Sequence, residues 1–198
     1  MEEAQRNKLK GIYREYTDKT TRDILNYELE FVLSDGNMDK DIMMIGEAPG
    51  KEEVRMGKPF TGMAGGNLSE FMEYMHLKRE DIFLTNTIKY RLYDINPKTG
   101  KKRNRPATKK EIEDGRECLI NEIEITKPKL ILTLGNVPLR ALTGDDKITI
   151  GAVHGKPQTV LGTVLIPLYH PASIIYNRKL KTEYLKDLDI VNEYISHS

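Results

Sequence analysis

Residues 41–50 read Asp-Ile-Met-Met-Ile-Gly-Glu-Ala-Pro-Gly, an apolar run that passes directly into a turn sequence. A short run without polar alternation is typical of a strand that is buried on both faces. The glycines and the proline that follow favour a tight loop in which backbone N–H groups can face a ligand. Because an ordinary strand-to-helix turn has the same composition, the stretch alone predicts a buried strand and leaves the role of its loop open.

Three further apolar runs share this character, and helical patterns separate them. The runs are Ile82-Phe-Leu-Thr-Asn86, Lys129-Leu-Ile-Leu-Thr-Leu134 and Thr163-Val-Leu-Ile-Pro-Leu-Tyr169. Apolar residues recur at helical spacing over residues 67–76, 109–125 and 180–195. This alternation of strands and helices predicts an α/β fold, a three-layer α/β/α sandwich with a central, mostly parallel four-stranded sheet.

The chain length of 198 residues fits a single domain that covers residues 1–198. We expect the core to cover residues 41–190, preceded by an N-terminal helical segment within residues 1–36. Apolar residues at mixed three- and four-residue spacings predict a helix between Glu2 and Leu33. The sequence Ser-Asp-Gly-Asn at residues 34–37 then breaks that helix.

The composition limits the class of protein. The formal net charge is +1, so any nucleic-acid role must rest on local charge. Cys118 is the one cysteine, which leaves no internal disulfide framework. The amino terminus has no signal-peptide pattern, and no apolar stretch is long enough to span a bilayer. We therefore expect a cytoplasmic monomer with no membrane partner.

Candidate site residues follow from the predicted sheet, because ligands of open parallel sheets bind beyond the carboxyl ends of the strands. Asn86 ends the second run and offers one acceptor and two donors, which complement the O4 and N3–H edge of uracil. A structural turn asparagine explains it equally well. His170 ends the fourth run and precedes Pro171, so it is well placed to donate to a developing anion. A lone histidine is, however, more often structural.

Two stretches between the strands have unusual compositions. Phe60 lies between a proline and a run of glycines, where its ring suits stacking on a flat base and core packing is the alternative. Residues 95–110 contain seven Lys or Arg residues and no Asp or Glu. The seven are Lys98, Lys101, Lys102, Arg103, Arg105, Lys109 and Lys110. They predict a mobile loop that faces phosphates, against the alternative of a merely solvated loop.

Taken in order, these motifs resemble the uracil-DNA glycosylase superfamily, and most closely its family 4. The ordered set begins with Gly46–Gly50, Gly57–Phe60, Ala64-Gly65, Thr85-Asn86 and Lys89. It continues with Asn104–Pro106, Glu111-Ile112, Lys127–Lys129, Leu134-Gly135, Tyr169–Ala172 and Asp187-Leu188. The resemblance covers nearly the whole chain, from about residue 41 to residue 190. Each motif is weak alone, but the complete ordered set is hard to reach by chance.

The resemblance implies roles for the matching residues. Gly46, Glu47 and Ala48 belong to a loop that contacts the base and positions water. Phe60 stacks on uracil and Asn86 reads its pyrimidine edge. His170 stabilises negative charge on the uracil O2 as the glycosidic bond breaks, so the implied catalytic residues are His170, Glu47 and Ala48. The implied DNA-binding residues are Lys101, Lys102, Arg103 and Arg105 in the basic segment, and Ala172, Ser173 and Arg178 in a segment that enters the minor groove.

The activity that the resemblance implies is base-excision repair of uracil-containing DNA. Such an enzyme extrudes the base from the duplex, because the target atom is unreachable inside the stack. It then hydrolyses the N-glycosidic bond, cuts no strand and leaves an abasic site. The alternative is a member of the superfamily that binds uracil or DNA without turnover.

One departure from family 4 concerns its cofactor. Members of that family normally hold an iron–sulfur cluster on four cysteines, two of them early in the chain. This chain has no cysteine there and has Tyr90 where the family pattern has the third. Cys118 lies about one helical turn from the position of the fourth. One cysteine does not ligate a cluster of the four-thiolate kind, so we expect no cofactor and no metal.

Other departures concern the chemistry. His154-Gly155 stands where the family often has Arg-Gly, which makes His154 an accessory candidate for a phosphate or site contact. Residues 77–153 contain no histidine, so the covalent route used by members with a histidine nucleophile in the basic loop is not expected. Another branch of the superfamily has a water-activating aspartate at the position of Ala48. Since alanine has no such function, the general base stays unassigned, with Glu47 the nearest carboxylate.

Overall fold

The computed structural model describes residues 3–24, 28–177 and 179–196. Within them the strands are β1 (Asp35–Gly36), β2 (Ile42–Gly46), β3 (Ile82–Asn86), β4 (Tyr93–Ile95), β5 (Lys102–Asn104), β6 (Leu130–Leu134), β7 (Gln158–Val160) and β8 (Thr163–Leu168). The helices are α1 (Glu3–Asp23), α2 (Lys51–Met56), α3 (Met63–Tyr74), α4 (Lys109–Thr126), α5 (Asn136–Thr143), α6 (Ile150–Val153), α7 (Pro171–Tyr176) and α8 (Leu180–Ser196).

A central six-stranded sheet has the strand order β1-β3-β2-β6-β8-β7. The four inner strands run parallel, in a register that pairs Gly46 with Asn86 and Leu134 with Leu168. These are the four strands that the sequence predicts. The edge strands β1 and β7 pair antiparallel and make the sheet larger than the predicted four strands. With two and three residues, they are too short to give a periodic signal in the sequence.

Helices cover both faces of the sheet, which confirms the predicted α/β/α sandwich. Successive side chains of a strand point to opposite faces, and β2 shows this directly. Met43 and Ile45 pack in one apolar cluster with residues of α1, α4 and α5. Ile42 and Met44 pack in a second cluster with residues of α3 and α8. Burial on both faces therefore explains why the inner strands read as continuous apolar runs.

The N-terminal helix is shorter than the sequence predicts. α1 ends at Asp23, and residues 28–34 are not helical. Val32 N–H donates to the Lys89 carbonyl at 2.7 Å, and Arg91 N–H donates to the Glu30 carbonyl at 3.1 Å. The apolar residues of this segment thus lie in an extended stretch beside residues 89–91. Leu25, which contributed to the helical pattern, lies outside the described residues.

The basic segment contains regular structure where the sequence predicts a mobile loop. β4 and β5 form an antiparallel hairpin that pairs Tyr93 with Asn104 and Ile95 with Lys102. Its turn includes Gly100 at a φ of 66°, a conformation that glycine adopts without strain. With three residues in each strand, the hairpin is too short to give a periodic signal in the sequence.

No helix among the described residues is long and apolar enough to cross a membrane.

Candidate active site

A cavity of about 350 Å³ lies at the carboxyl end of the sheet, beyond β2, β3 and β8. Four of the residues that the sequence singles out lie on its walls, namely Ala48, Phe60, Asn86 and His170. The other lining residues are Gly50, Lys51, Glu52, Glu53, Gly62 and Asn104. Residues from distant parts of the chain therefore meet at the place where an open parallel sheet binds its ligands.

Gly46 contributes to the site through its lack of a side chain. A β carbon at this position would lie 2.7 Å from the Phe60 ring carbon Cζ and would collide with the Asn86 amide oxygen. Gly46 and Asn86 are also register partners of β2 and β3. Any larger residue at position 46 would displace the aromatic ring or the amide from its place in the cavity.

Phe60 is held in a conformation that non-glycine residues seldom adopt. Its φ is 55°, and its side chain is 7% exposed. Arg79 donates through Nη1 to the Phe60 carbonyl at 3.3 Å and through Nη2 to the Pro59 carbonyl. Asp35 in turn binds Arg79 Nε at 2.7 Å. Strain of this kind persists only where the surroundings enforce it. By binding these two carbonyls, Arg79 holds the backbone in the conformation that places the Phe60 ring between the cavity and the apolar core.

A backbone N–H group determines which nitrogen of the His170 ring carries the proton. Its Nδ1 accepts a hydrogen bond from the Ala172 N–H group at 3.1 Å. A neutral imidazole has one donor and one acceptor nitrogen, so the proton resides on Nε2. Burial lowers the pKa of His170, with an opposing contribution from the nearby Glu53 carboxylate. The ring is thus a neutral hydrogen-bond donor on the cavity wall.

Glu53 is a site residue that the sequence analysis missed. Its Oε2 accepts the Gly50 N–H at 3.1 Å, and its Oε1 accepts the Gly62 N–H at 2.9 Å. One carboxylate thereby ties the loop after β2 to the loop that carries Phe60. A glutamate three residues after the N-cap residue of a helix is a sequence sign of a capping box. The sequence could therefore indicate the bond between Glu53 and the Gly50 N–H group. It could not indicate the second bond, to the Gly62 N–H group in the other loop.

Asn104 was recognised as part of a motif but was given no role. Its Oδ1 accepts a hydrogen bond from Arg91 Nε at 2.9 Å, which leaves its Nδ2 beside Gly50. Arg91 is 5% exposed and is itself bound by Glu30 at 3.3 Å. The hairpin therefore delivers an oriented amide to the cavity. Only the pairing of β4 with β5 reveals this, because Asn104 follows none of the four strands that the sequence predicts.

The loop after β2 contains two of the predicted catalytic residues, and only one of them lines the cavity. Ala48 lines the cavity, whereas Glu47 is absent from its lining. The Glu47 carboxylate instead accepts the Ala107 N–H at 3.4 Å, and burial raises its pKa. The structure therefore directs this carboxylate toward Ala107, just before the start of α4.

The predicted DNA-binding residues fall into three groups. Lys101 and Arg103 are exposed on the hairpin. Lys102 and Arg105 form internal ion pairs, Lys102 with Glu30 at 2.8 Å and Arg105 with Glu111 at 2.6 Å. Ala172 and Ser173 lie in the first turn of α7, next to His170, and Arg178 lies outside the described residues.

The residues around Tyr90 and Cys118 do not fit an iron–sulfur cluster. Cys118 is buried, and burial raises its thiol pKa to about 12, which opposes thiolate ligation. The Tyr90 hydroxyl donates to Glu111 at 3.4 Å, and its ring packs edge-on against Phe31. No group of three or more His, Cys, Asp or Glu suited to a metal ion occurs in the described part of the chain. No step of the chemistry proposed below involves a cluster.

Comparison with known proteins identifies the family of this chain. The family model described as the uracil DNA glycosylase superfamily matches residues 33–189. A type-4 uracil-DNA glycosylase of Thermotoga maritima is 33% identical over 167 residues, which cover 83% of this chain and 82% of that protein. A protein of the same name from Archaeoglobus fulgidus is 31% identical over 192 residues, covering 93% and 92%. A DNA polymerase of Bacillus phage SP01 is 29% identical over 157 residues, 79% of this chain but 16% of the polymerase. The chain belongs to the uracil-DNA glycosylase superfamily.

Proposed function

We propose that this protein excises uracil from DNA by hydrolysing the N-glycosidic bond, and that it leaves an abasic site without cutting the strand. The observation that carries the proposal is the meeting of Phe60, Asn86 and His170 on the walls of one cavity. A stacking ring, a buried amide and a neutral donor are the groups that a flat base with a carbonyl-rich edge requires. The names of the relatives support the same activity.

Base selection rests on Phe60 and Asn86. A base inside a duplex is inaccessible, so the target nucleotide must leave the stack and enter the cavity. The Phe60 ring then offers a face on which uracil stacks. The Asn86 amide accepts from uracil N3–H and donates to O4, a pattern that cytosine does not match. Asn86 is 4% exposed, so an unmatched polar edge beside it is costly.

His170 supplies the leaving-group stabilisation. As the bond between C1′ and N1 breaks, its electron pair moves to the uracil ring and negative charge develops on O2. A fixed N–H donor aimed at that oxygen lowers the barrier, because the hydrogen bond strengthens as the charge grows. The Nε2–H of the neutral His170 ring is such a donor, since its Nδ1 is occupied by Ala172.

Asn104 and Glu53 provide the polar groups that receive the attacking water. Both line the cavity, and neither is needed for the base edge. The water oxygen adds to C1′, and its released proton passes to the Glu53 carboxylate and then to solvent. The uracil anion takes a proton from solvent after release. Ala48 has no polar group for this step, and Glu47 lies outside the lining of the cavity.

DNA is gripped on either side of the cavity. Lys101 and Arg103 on the hairpin are exposed near Asn104, so their charges suit phosphates that flank the extruded nucleotide. Ala172 and Ser173 follow Pro171 in the first turn of α7, close to His170, where they would contact the gap left by the base.

The test is a labelled oligonucleotide with a single uracil, incubated with the protein and then treated with alkali. We expect cleavage at the uracil position only after alkali, which marks an abasic site. Strand cutting before alkali would contradict a monofunctional glycosylase. Binding of the oligonucleotide without any excision would instead identify a non-catalytic binding protein of the same superfamily.

A further inference from the structure

A buried polar network lies behind Asn86, on the face of the sheet that α1 and α4 cover. Lys89 and Glu122 are both 0% exposed, and their Nζ and Oε2 atoms are 2.7 Å apart. The Lys89 ammonium also donates to the Thr85 hydroxyl at 2.8 Å and to the backbone carbonyl of Asn86. All three of its N–H donors therefore have partners.

Glu122 extends this network to the N-terminal helix. Its Oε1 accepts the Tyr13 hydroxyl at 2.6 Å and the Thr85 hydroxyl at 3.0 Å. The network thus joins α1, β3 and α4. Thr85 points toward α4, so its strand neighbour Asn86 points away from α4, and its side chain lines the cavity beyond the end of β3.

Stability alone does not account for such a pair. Removing two charges from water costs free energy, and well-packed apolar residues of similar volume are often as stabilising as a buried ion pair. Apolar side chains do not, however, hold a backbone carbonyl in place. The bond from Lys89 to the Asn86 carbonyl fixes the peptide from which the uracil-reading amide projects.

The Asn86 amide has little freedom to tolerate a shift of its backbone. Its oxygen lies so close to Gly46 that no β carbon fits between them. The Phe60 ring closes the same corner of the site. A small movement at the end of β3 would therefore change the position of the amide relative to a base held against that ring.

We propose that Lys89, paired with Glu122, is a positioning residue for uracil recognition that acts through Asn86. This inference rests on the proposed excision of uracil. Lys89 touches neither the base nor the sugar. It sets the end of β3 so that the Asn86 amide meets N3–H and O4 in the correct geometry.

The test replaces the network by apolar residues in two backgrounds. The triple variant Thr85→Val/Lys89→Met/Glu122→Leu removes its charges and the Thr85 hydroxyl together, while Tyr13 keeps its bond to Ser34 at 2.6 Å. In the otherwise unaltered protein, we expect single-turnover excision to fall about 10- to 100-fold, as for small misplacements of a reacting group. Inhibition by free uracil, which reports occupancy of the base site, should weaken in parallel.

In the Asn86→Ala background, the same triple substitution should change the rate by less than about twofold, because the residue through which it acts is gone. An equal loss in both backgrounds, or an unaltered rate and unaltered uracil inhibition in the first, would overturn the positioning role. If the triple variant does not fold, Glu122→Gln weakens the pair without changing its volume and is read in the same two backgrounds.

A matched control comes from the exposed pair Lys19–Glu117, which joins the same two helices at 3.1 Å. Replacing both residues by methionine should leave excision and uracil inhibition unchanged. If the unaltered protein excises no uracil, the proposed function and this inference both fail. If it does excise uracil and the two backgrounds respond equally, only the positioning role fails.

Discussion

At the scale of single residues, a backbone hydrogen bond to the His170 ring determines which ring nitrogen is the donor in the proposed chemical step. The Ala172 N–H group holds Nδ1, so Nε2 is the donor nitrogen of a ring that lines the cavity. Loss of one such donor costs roughly 100- to 1000-fold in rate in other enzymes. We expect His170→Ala to lower single-turnover excision by about that factor and to leave affinity for uracil-containing DNA nearly unchanged.

His154 is the control for that substitution. It binds Asp187 at 2.9 Å and packs against Tyr169, so it is a half-buried histidine engaged outside the cavity lining. His154→Ala should therefore reduce the excision rate less than His170→Ala does. If His154→Ala is the more damaging substitution, or if His170→Ala cuts at the normal rate, the mechanism proposed for His170 is wrong.

The pH dependence of excision follows from the direction of the His170 pKa shift. Burial lowers this pKa from its ordinary value of 6.5, so the folded protein retains the neutral ring to a lower pH. Protonation would remove the acceptor that Ala172 requires. We expect the single-turnover rate to stay level as the pH falls through 6.5 and to drop only below it. A rate that halves at or above that value, measured at saturating enzyme, would contradict a neutral donor.

Asn86 gives the sharpest test of base recognition. In Asn86→Asp, a carboxylate replaces the amide N–H₂ that donates to O4, so uracil is repelled and cytosine, with its donor at that position, becomes a candidate substrate. The lost buried hydrogen bond is worth about 1–3 kcal/mol, and the added charge increases the effect. Excision from matched uracil and cytosine oligonucleotides measures it. Normal uracil excision by this variant would show that Asn86 does not read the base.

The sequence predicted those site residues that follow strand ends, and it failed where a role depends on a second segment. Asn86 ends β3 and His170 closely follows β8, so their convergence follows from the sheet alone. Glu53 matters because it binds two loops, and Asn104 because a hairpin carries it to the cavity. The orientation of Glu47 toward Ala107 is equally invisible in sequence.

At the scale of elements, the β4–β5 hairpin has one cation that forms ion pairs within the protein and two that are exposed to solvent. Lys102 is bound by Glu28 at 3.0 Å and by Glu30 at 2.8 Å, whereas Lys101 and Arg103 are exposed. We expect the double substitution Lys101→Ala/Arg103→Ala to weaken binding to DNA of any sequence. It should also flatten the dependence of log affinity on log salt by up to about one unit for each lost phosphate contact.

Lys102→Ala is the control within the same hairpin, because it removes a cation that forms ion pairs within the protein and not an exposed one. Because its ammonium is held by two glutamates, this substitution should alter the salt slope less than the loss of Lys101 or Arg103. Titrations of a fluorescent duplex at several salt concentrations give all the slopes. If the double variant retains the normal slope, the exposed cations are merely solvated.

The sequence predicted well those elements whose burial produces a simple pattern of apolar residues. The inner strands are buried on both faces and read as continuous apolar runs. The prediction for residues 28–34 was wrong because Leu29, Val32 and Leu33 bury themselves in an extended segment, and their spacing happens to match a helical face. The hydrogen bonds that hold this segment, from Val32 N–H to the Lys89 carbonyl and from Arg91 N–H to the Glu30 carbonyl, are long-range, so no local pattern distinguishes an extended segment from a helix here.

At the scale of the whole molecule, the region between α1 and α4 shows how the fold is held without cluster cysteines. Residues 30–32 pair with residues 89–91 through backbone hydrogen bonds. The Phe31 ring packs edge-on against Tyr90 at a centroid distance of 5.9 Å. Behind them, Lys89 and Glu122 join α4 to β3, and Tyr13 adds α1. Together these contacts join α1, residues 30–32, residues 85–91 and α4.

This arrangement predicts a protein that folds without iron. A structural metal contributes its binding free energy to folding, so a chelator destabilises any protein that relies on one. Here Cys118 is the one cysteine, and burial disfavours its thiolate. After anaerobic purification, we expect a colourless protein with no stoichiometric iron and a thermal unfolding midpoint that a strong chelator leaves unchanged. The type-4 relative from Archaeoglobus fulgidus, treated in the same way, serves as the comparison. Stoichiometric iron with visible charge-transfer absorbance, or a midpoint that falls on chelation, would show that non-cysteine ligands hold a metal and that packing alone does not support this region.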